Sequence, residues 1–439
     1  MTSQWLDGMN PDWSVRRPKT LFMERRSPSR AGDTHLTPSQ HFGVLPQSEY
    51  MAVSGSSVVL NLVGTDNMKH VEPDDFIIHL RSFQGGIEHS SLAGKVSNAY
   101  TVFSANAEVE PRFFRWVLKS PGFVQELQST TNQLRDGQSI RFAEFASINL
   151  PLPPLEEQRR IADFLDDQVT RIDKAIHLRQ QQIKAVDQRF LSRWYEDART
   201  LSCELGIVPL RRVLLSIVDG PFGSSLTSSH YSDSGTRVIR LGNIGRGEFR
   251  WDQEAYIPST YAKGLRQHAA VEGDLIVAGL GDERWPLGRC AVVPPGLGPA
   301  IVKADCYRVR LADTVSAEFV SWFLSSPLAE AKIRLLARGS TRARLNTDVA
   351  REAPIVIPDR IRQLEIVSSW EEEKLARTTM AESIAESIDL LIERRRSLIT
   401  AAVTGEFDVS SASSRAAETV GSDLCATSTA RGCDDQRSC

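Results

Sequence analysis

A stretch in the middle of this chain restricts the folds open to it. Residues 151–154 read Pro-Leu-Pro-Pro, and after Glu156 neither proline nor glycine occurs for more than forty residues. The prolines stop whatever precedes them, because proline cannot continue a helix and biases its predecessor to an extended form. Glu, Gln, Arg, Ala, Leu and Lys then dominate, the residues that lose least on becoming helical. Leu165, Ile172 and Val186 recur on one seven-residue ladder, with Arg179 as its polar member. Val169, Ile176, Ile183 and Phe190 occupy a companion ladder. Two such ladders form a stripe that packs along a second helix. At a rise of about 1.5 Å per residue the run spans roughly 60 Å. That is too long for one compact domain and predicts a spacer helix over residues 151–204.

What flanks the spacer is duplicated. Phe113-Phe114-Arg115-Trp116-Val117-Leu118-Lys119-Ser120-Pro121 aligns with Phe319-Val320-Ser321-Trp322-Phe323-Leu324-Ser325-Ser326-Pro327. Gly137, Arg141 and Pro151 are mirrored by Gly339, Arg344 and Pro354, Pro153 and Gln158 by Pro358 and Gln363, and Ile172-Asp173 by Ile388-Asp389. A repeat of this kind predicts the order module, long helix, module, long helix. The boundaries are a first module at 1–150, its helix at 151–204, a second module at 205–355 and a second helical segment at 356–408. That second helix covers Arg360 to Thr404, with Ile384, Leu391 and Leu398 on one ladder, Ile388 on the other, and Gly405 at the expected left-handed cap. Antiparallel pairing of the rods would put the modules at opposite ends of the bundle. Residues 409–439 are Ser, Ala, Thr, Gly and Asp with few large apolar side chains and are expected to be disordered.

Within the modules, short apolar runs between Gly, Pro and Ser read as strands: residues 57–62, 76–78, 99–103, 237–241 and 274–277. Residues 111–127 and 318–336 read as helices broken at Pro121-Gly122 and at Pro327.

Composition adds limits. The 439 residues have room for two or three domains. The net charge of -3 gives no global attraction to nucleic acid, so any basic surface is local. The cysteines, Cys203, Cys290, Cys306, Cys425, Cys433 and Cys439, contain no CxxC pair and suit a reducing, cytoplasmic setting. No apolar run follows a basic start in residues 1–20, and no 18-residue apolar stretch exists, so neither a secretory signal nor a membrane span is expected.

Four motifs in this order resemble a known family, the specificity (S) subunit of type I restriction–modification systems. They are LPLPPLEEQRRIADFLD (150–166), IDLLIERRRSLITAAVTGEFDV (388–409), DGPFGSSL (219–226) with RVIRLGNIGRGEF (237–249), and SFQGGIEHSSLAGKVSNAYTVF (82–103). The resemblance implies an α+β fold: two pseudo-repeated α/β target-recognition domains, separated by two long antiparallel coiled-coil helices, with pseudo-twofold symmetry. Each domain would read one part of a split site on double-stranded DNA. The helices would act as a ruler and as the docking surface for two methylation (M) subunits, which restriction (R) subunits then join. This chain would bind no cofactor; S-adenosylmethionine, ATP and Mg would belong to the partners. Three departures stand out. Pro358-Asp359-Arg360-Ile361-Arg362-Gln363 replaces the Pro-Leu-Glu-Glu-Gln form, Trp370 stands where the first repeat has Leu165, and Pro73-Asp74-Asp75 replaces Gly273-Asp274.

Catalytic signatures are missing from the sequence. There is no Gly-x-x-x-x-Gly-Lys-Ser/Thr phosphate loop and no Asn/Asp-Pro-Pro-aromatic segment. Gly242-x-x-Gly245-x-Gly247 has the wrong spacing for a dinucleotide fingerprint and reads as a hairpin turn. Glu371-Glu372-Glu373-Lys374 contains a nuclease-like Glu-x-Lys but lies on a long helix, where it reads as a solvated charge run. The eight histidines show no ligand spacing, so no metal site is expected. A non-catalytic chain that binds and positions is the expectation. The rivals are a self-contained DNA methyltransferase or nuclease and a coiled-coil scaffold with no DNA role.

Residues 205–355 hold 19 Lys+Arg against 15 Asp+Glu, an excess of 4, the sign that phosphate contact needs. Arg338, Arg342 and Arg344 surround Gly339 and Ser340, where open backbone N–H groups and guanidiniums could meet phosphate. Arg135 and Arg141 are their counterparts in the first module. Gln84 beside Gly85-Gly86, and Ser224 and Ser225 beside Gly223, are polar groups on loops able to enter a groove, and Gln can pair bidentately with adenine. These eight are the candidate DNA contacts. The candidate helix-packing residues are Leu165, Ile172, Ile176, Ile183, Val186, Ile384, Ile388, Leu391 and Leu398.

Overall fold

The computed structural model describes residues 4–55, 68–130, 140–282, 284–337, 344–407 and 409. Its contacts divide into two units, Met1–Arg179 with Glu386–Cys439, and Gln180–Ala385. The first long helix is Leu155–Leu205 and the second Arg360–Thr404, so each contributes residues to both units.

In the first unit an antiparallel sheet runs Phe22–Arg25, Thr101–Ala105, Phe76–Ile78, Glu88–His89 in spatial order. The strand expected at 99–103 is shifted to Thr101–Ala105, because residues 97–100 close a turn through Tyr100 N to Ser97 O. One face of the sheet meets the helices Pro111–Val117 and Pro121–Ser129, broken where Pro121 begins a new helix and Ser120 caps it. The core between them is aromatic. Phe22 stands edge-on to Phe76, Phe103 and Phe114 at 5.3–5.5 Å, the geometry that ring quadrupoles favour. Strand Ser14–Arg16 pairs with Leu150–Leu152 and closes the module where the long helix departs. Ile161, Ala162 and Leu165 then complete the module core together with Ala402 and Val403 of the second helix. Farther along, Arg395 Nε lies 3.3 Å from Asp173 Oδ1, so the two helices run antiparallel within this unit.

The second unit repeats the plan. Its sheet runs Leu214–Val218, Cys306–Leu311, Leu275–Ala278, Cys290–Val292 in space. In each sheet the strands that come first, fourth, second and third in the chain are neighbours. Helices Ala317–Leu324 and Pro327–Leu336 cover it, again broken at a proline capped by serine. Val208–Pro209 pairs with Pro354–Ile355 as the closing strand pair. A second sheet, with Thr236–Ile239 and Ala300–Val302 parallel, extends this module. Asp187 with Arg377, and Arg193 with Glu373, pair across the helices, which are antiparallel in this unit also.

The match extends to single hydrogen bonds. Gln158 is buried, and its Nε2 donates to Pro153 O and Glu108 O while its Oε1 accepts from Glu110 N. Gln363 does the same with Pro358 O, Thr314 O and Ser316 N. The divergent start of the second helix therefore keeps the glutamine that ties the helix to its module. Asp74 and Gly273 are likewise equivalent, since both adopt a positive φ, +68° and +82°. Aspartate tolerates this region better than most residues. The next residue, Asp75 or Asp274, accepts a backbone N–H three residues upstream and pairs with Arg25 or Arg310.

The third departure has a packing reason. Trp370 packs against Trp194 with ring centroids 5.4 Å apart and the rings tilted by 45°, and Gly247 lies so close that a Cβ there would fall 2.8 Å from the Trp370 indole. The Gly242–Gly247 segment is a hairpin turn: Gly245 N donates to Glu248 O, and Ile244 bridges Phe249. Gly405 follows the second helix at φ +74°. Val409 is half-buried against the first module's core; residues 410–439 and the strand expected at 57–62 lie outside the described residues. Among the described residues no helix is long and apolar enough to cross a membrane.

Leu165 and Ile172 are buried, and Ile176, Ile183, Val186, Ile384, Ile388, Leu391 and Leu398 are half-buried on their helices. Lys374 pairs with Glu371 one turn away, which makes the Glu-x-Lys segment part of the helix surface.

Candidate nucleic-acid interface

In the second module the loop after strand Leu214–Val218 begins at Asp219. Its Oδ1 accepts from Gly220 N at 2.7 Å and Asp305 N at 2.8 Å, which joins two loops at one point. Gly220 is required there, since a Cβ would sit 2.0 Å from the Lys303 backbone. The chain then turns at Gly223, φ +58°, leaving Phe222, Ser224 and Ser225 exposed. Tyr261 Oη donates to Ser225 O at 2.9 Å and holds the turn from outside.

Arg344 belongs to the same place. It bridges Leu280, while Leu345 N donates to Gly279 O and Tyr307 Oη to Leu345 O. Its guanidinium sits 5.8 Å from the Phe222 ring centroid and pairs with Asp305 at 2.7 Å. The structure thus brings Ser224, Ser225 and Arg344 into one loop cluster. Arg338 and Arg342 lie outside the described residues. So does Arg135 in the first module.

Gln84 is exposed on the short helix Ser82–Gly85. Gly86, φ +86°, lies under Leu118 O so closely that a Cβ would meet it at 2.1 Å, which fixes this loop against the module. Arg141 is exposed and precedes helix Phe142–Phe145, its N–H donating to Glu144 Oε2 at 2.8 Å. Among the described residues no hydrogen bond or ion pair joins Gln84 to Arg141.

Sequence reasoning missed Phe222 and Asp305. Phe222 is a large apolar residue between Pro221 and Gly223 with nowhere to be buried. That is the signal that would have marked it.

Burial pushes the Asp219 carboxyl up to about 6, and nearby Asp305 adds to the effect, against the pull of the two N–H donors. Because the folded state holds its proton more tightly than the unfolded chain, this group costs stability once ionised. Stability should therefore fall as pH rises from about 4 to about 6 and level off above that. Asp219→Asn keeps an oxygen for both N–H groups and removes the charge. Its unfolding midpoint should match the parent near pH 4 and exceed it above about pH 7, read by thermal melts across that range.

Residues 47–187 match the family model described as the type I restriction modification DNA specificity domain. The type I restriction enzyme MjaVIII specificity subunit of Methanocaldococcus jannaschii is 25% identical over 263 residues, 57% of this chain and 58% of that protein. The type I restriction enzyme EcoKI specificity subunit of Escherichia coli K12 is 22% identical over 287 residues, 61% of this chain and 60% of that protein. The alignments thus span less than two thirds of either curated relative. Among solved structures, a chain from a study of complex assembly and conformational transition of the type I R-M system superposes with TM-score 0.68 at 16% identity, over 91% of this chain and 99% of that one. The HsdS subunit from Thermoanaerobacter tengcongensis superposes with TM-score 0.52 at 16% identity, over 91% and 98%. These two show the fold, while the domain match and the curated relatives carry the kinship in sequence. By sequence, residues 47–187 carry a type I restriction modification DNA specificity domain, and the chain is similar to type I restriction enzyme specificity subunits.

Proposed function

We propose that this chain is the non-catalytic DNA-reading subunit of a type I restriction–modification complex. Each module reads one part of a split site on double-stranded DNA, and the paired helices set the gap between the parts. The same helices dock two methylation subunits, and restriction subunits join that core. S-adenosylmethionine, ATP and Mg act on those partners, not here.

The observation that carries this reading is the duplication. Both modules have the same sheet order and the same buried glutamine clamp at the root of a long helix. Two equivalent heads on one chain suit a target with two parts. Exchanging residues 1–150 for the corresponding module of another family member should change one half of the methylated motif and leave the other half intact. Genome-wide methylation sequencing of cells carrying the complex reads this directly. One unbroken recognition sequence would count against the proposal.

A further inference from the structure

Beyond the loop cluster around Arg344, the second module carries a group of arginines that no sequence motif marks. Arg289 is buried, and its guanidinium is consumed by four carbonyls: Ile244 at 2.7 Å, Leu280 at 3.1 Å, Pro286 at 3.0 Å and Leu241 at 3.0 Å. It fastens Leu241 and Ile244 to Leu280 and Pro286. The same guanidinium lies 5.5 Å from the ring centroid of Trp285. That indole also carries Arg250 at 4.9 Å and Arg284 at 5.5 Å.

The three arginines differ in what remains free. Arg289 is buried with four of its five N–H donors engaged. Arg250 is partly exposed and pairs with Asp252 at 2.7 Å through one nitrogen. Arg284 is exposed, and its side chain makes no ion pair or hydrogen bond among the described residues. Asp282 Oδ1 accepts the backbone N–H groups of Arg284 and Trp285 at 2.9 and 2.7 Å. Holding Arg284 and Trp285 in place lowers the ordering cost of any contact they make. A cleft of about 230 Å³, walled by Trp285, Arg289 and Asp282, opens beside it. Leu280, on the same loop, bridges Arg344, so this group adjoins the loop cluster described above.

We propose that Arg284 and Arg250, presented on Trp285, clamp the backbone phosphates of the bound duplex. The ligand class is a phosphodiester, not a base edge. Three guanidiniums already surround the indole, so a base could stack there only by displacing one. A guanidinium on an aromatic face is held in position yet keeps its N–H edge for an anion. This inference rests on the DNA-reading function proposed above.

The test uses the full chain assembled with its methylation subunits. Binding is measured over a salt series to random-sequence duplex and to duplexes enriched from a random library by the parent complex. Arg284→Ala should weaken both on the order of tenfold and equally, as loss of one charged hydrogen bond does. The slope of log K against log salt should become shallower by roughly 0.9. The enriched consensus should not change, and Arg284→Lys should recover most of the affinity. Arg250→Ala should act in the same direction. Unchanged affinity and slope in Arg284→Ala, with the parent binding normally, would overturn the clamp and leave the DNA-reading function standing. A consensus altered in one half would make Arg284 a base reader and also overturn it. A parent complex that shows no salt-dependent DNA binding would remove both proposals together.

Discussion

Replacing Gln363 with alanine should cost about 3–5 kcal/mol of the second module's stability. The amide supplies two donated bonds and one accepted bond to backbone groups at the root of the second long helix. Those groups are Thr314 O, Pro358 O and Ser316 N. Truncation strips Thr314 O and Ser316 N of that partner at a buried site, and each such group costs about 1–3 kcal/mol. Glutamate is nearly the same size but offers no N–H pair to the two carbonyls, so Gln363→Glu should fail almost as badly. Denaturant unfolding followed by tryptophan fluorescence measures this, since Trp194, Trp322 and Trp370 are buried in the same core. Gln158→Ala should produce a loss of similar size in the first module. A loss below about 1 kcal/mol in both would mean that water replaces the amide without penalty.

The second large effect concerns the target and not stability. Adding one heptad to each long helix, between Arg179 and Gln180 and between Ala385 and Glu386, should widen the gap in the methylated motif by about three base pairs. Seven residues add about 10 Å of helix, and successive base pairs stand about 3.4 Å apart. A heptad preserves the face on which Ile176, Ile183 and Ile388 lie, so the helices can still pair. A heptad placed in only one helix moves half its stripe out of register with its partner and should abolish methylation. Methylation sequencing reads both outcomes. A motif with unchanged spacing after the double insertion would sink the ruler.

The long helices were legible because their cues are local. The absence of proline and glycine, the ladders and Gly405 all act within a few residues, and the second helix spans Arg360–Thr404 as the pattern predicts. The duplicated architecture was legible for a different reason: repeated sequence demands repeated structure, even where single letters diverge. Asp74 shows the limit of reading letters, because it differs from Gly273 in type but shares its backbone conformation. Contacts between distant residues were not legible. Phe222 and Arg344 meet across more than a hundred residues, and Trp285 meets Arg250 from a separate segment of the chain. Nothing in local composition announces such a meeting. It follows from strand pairing that forms only when the whole module folds.

Beyond the shared glutamine clamp, the two modules grip their helices by different chemistry. Arg112 pairs with Asp163 at 2.7 Å, Arg115 pairs with Asp166, and Trp116 Nε1 donates to Asp166 at 2.8 Å. At the matching place in the second repeat, Trp322 is buried in one core with Trp194 and Trp370. The sockets are therefore keyed. A cassette transplanted from the amino-terminal position to the carboxy-terminal one would find Ser368 where Arg112 meets Asp163, and Trp370 followed by the longer Glu371 in place of Leu165 and Asp166. Productive shuffling between the halves must then cut the gene downstream of Asp166 or of Trp370, so that the lock travels with its key. New specificities would arise most readily by trading like positions between relatives, and seldom by copying one half over the other.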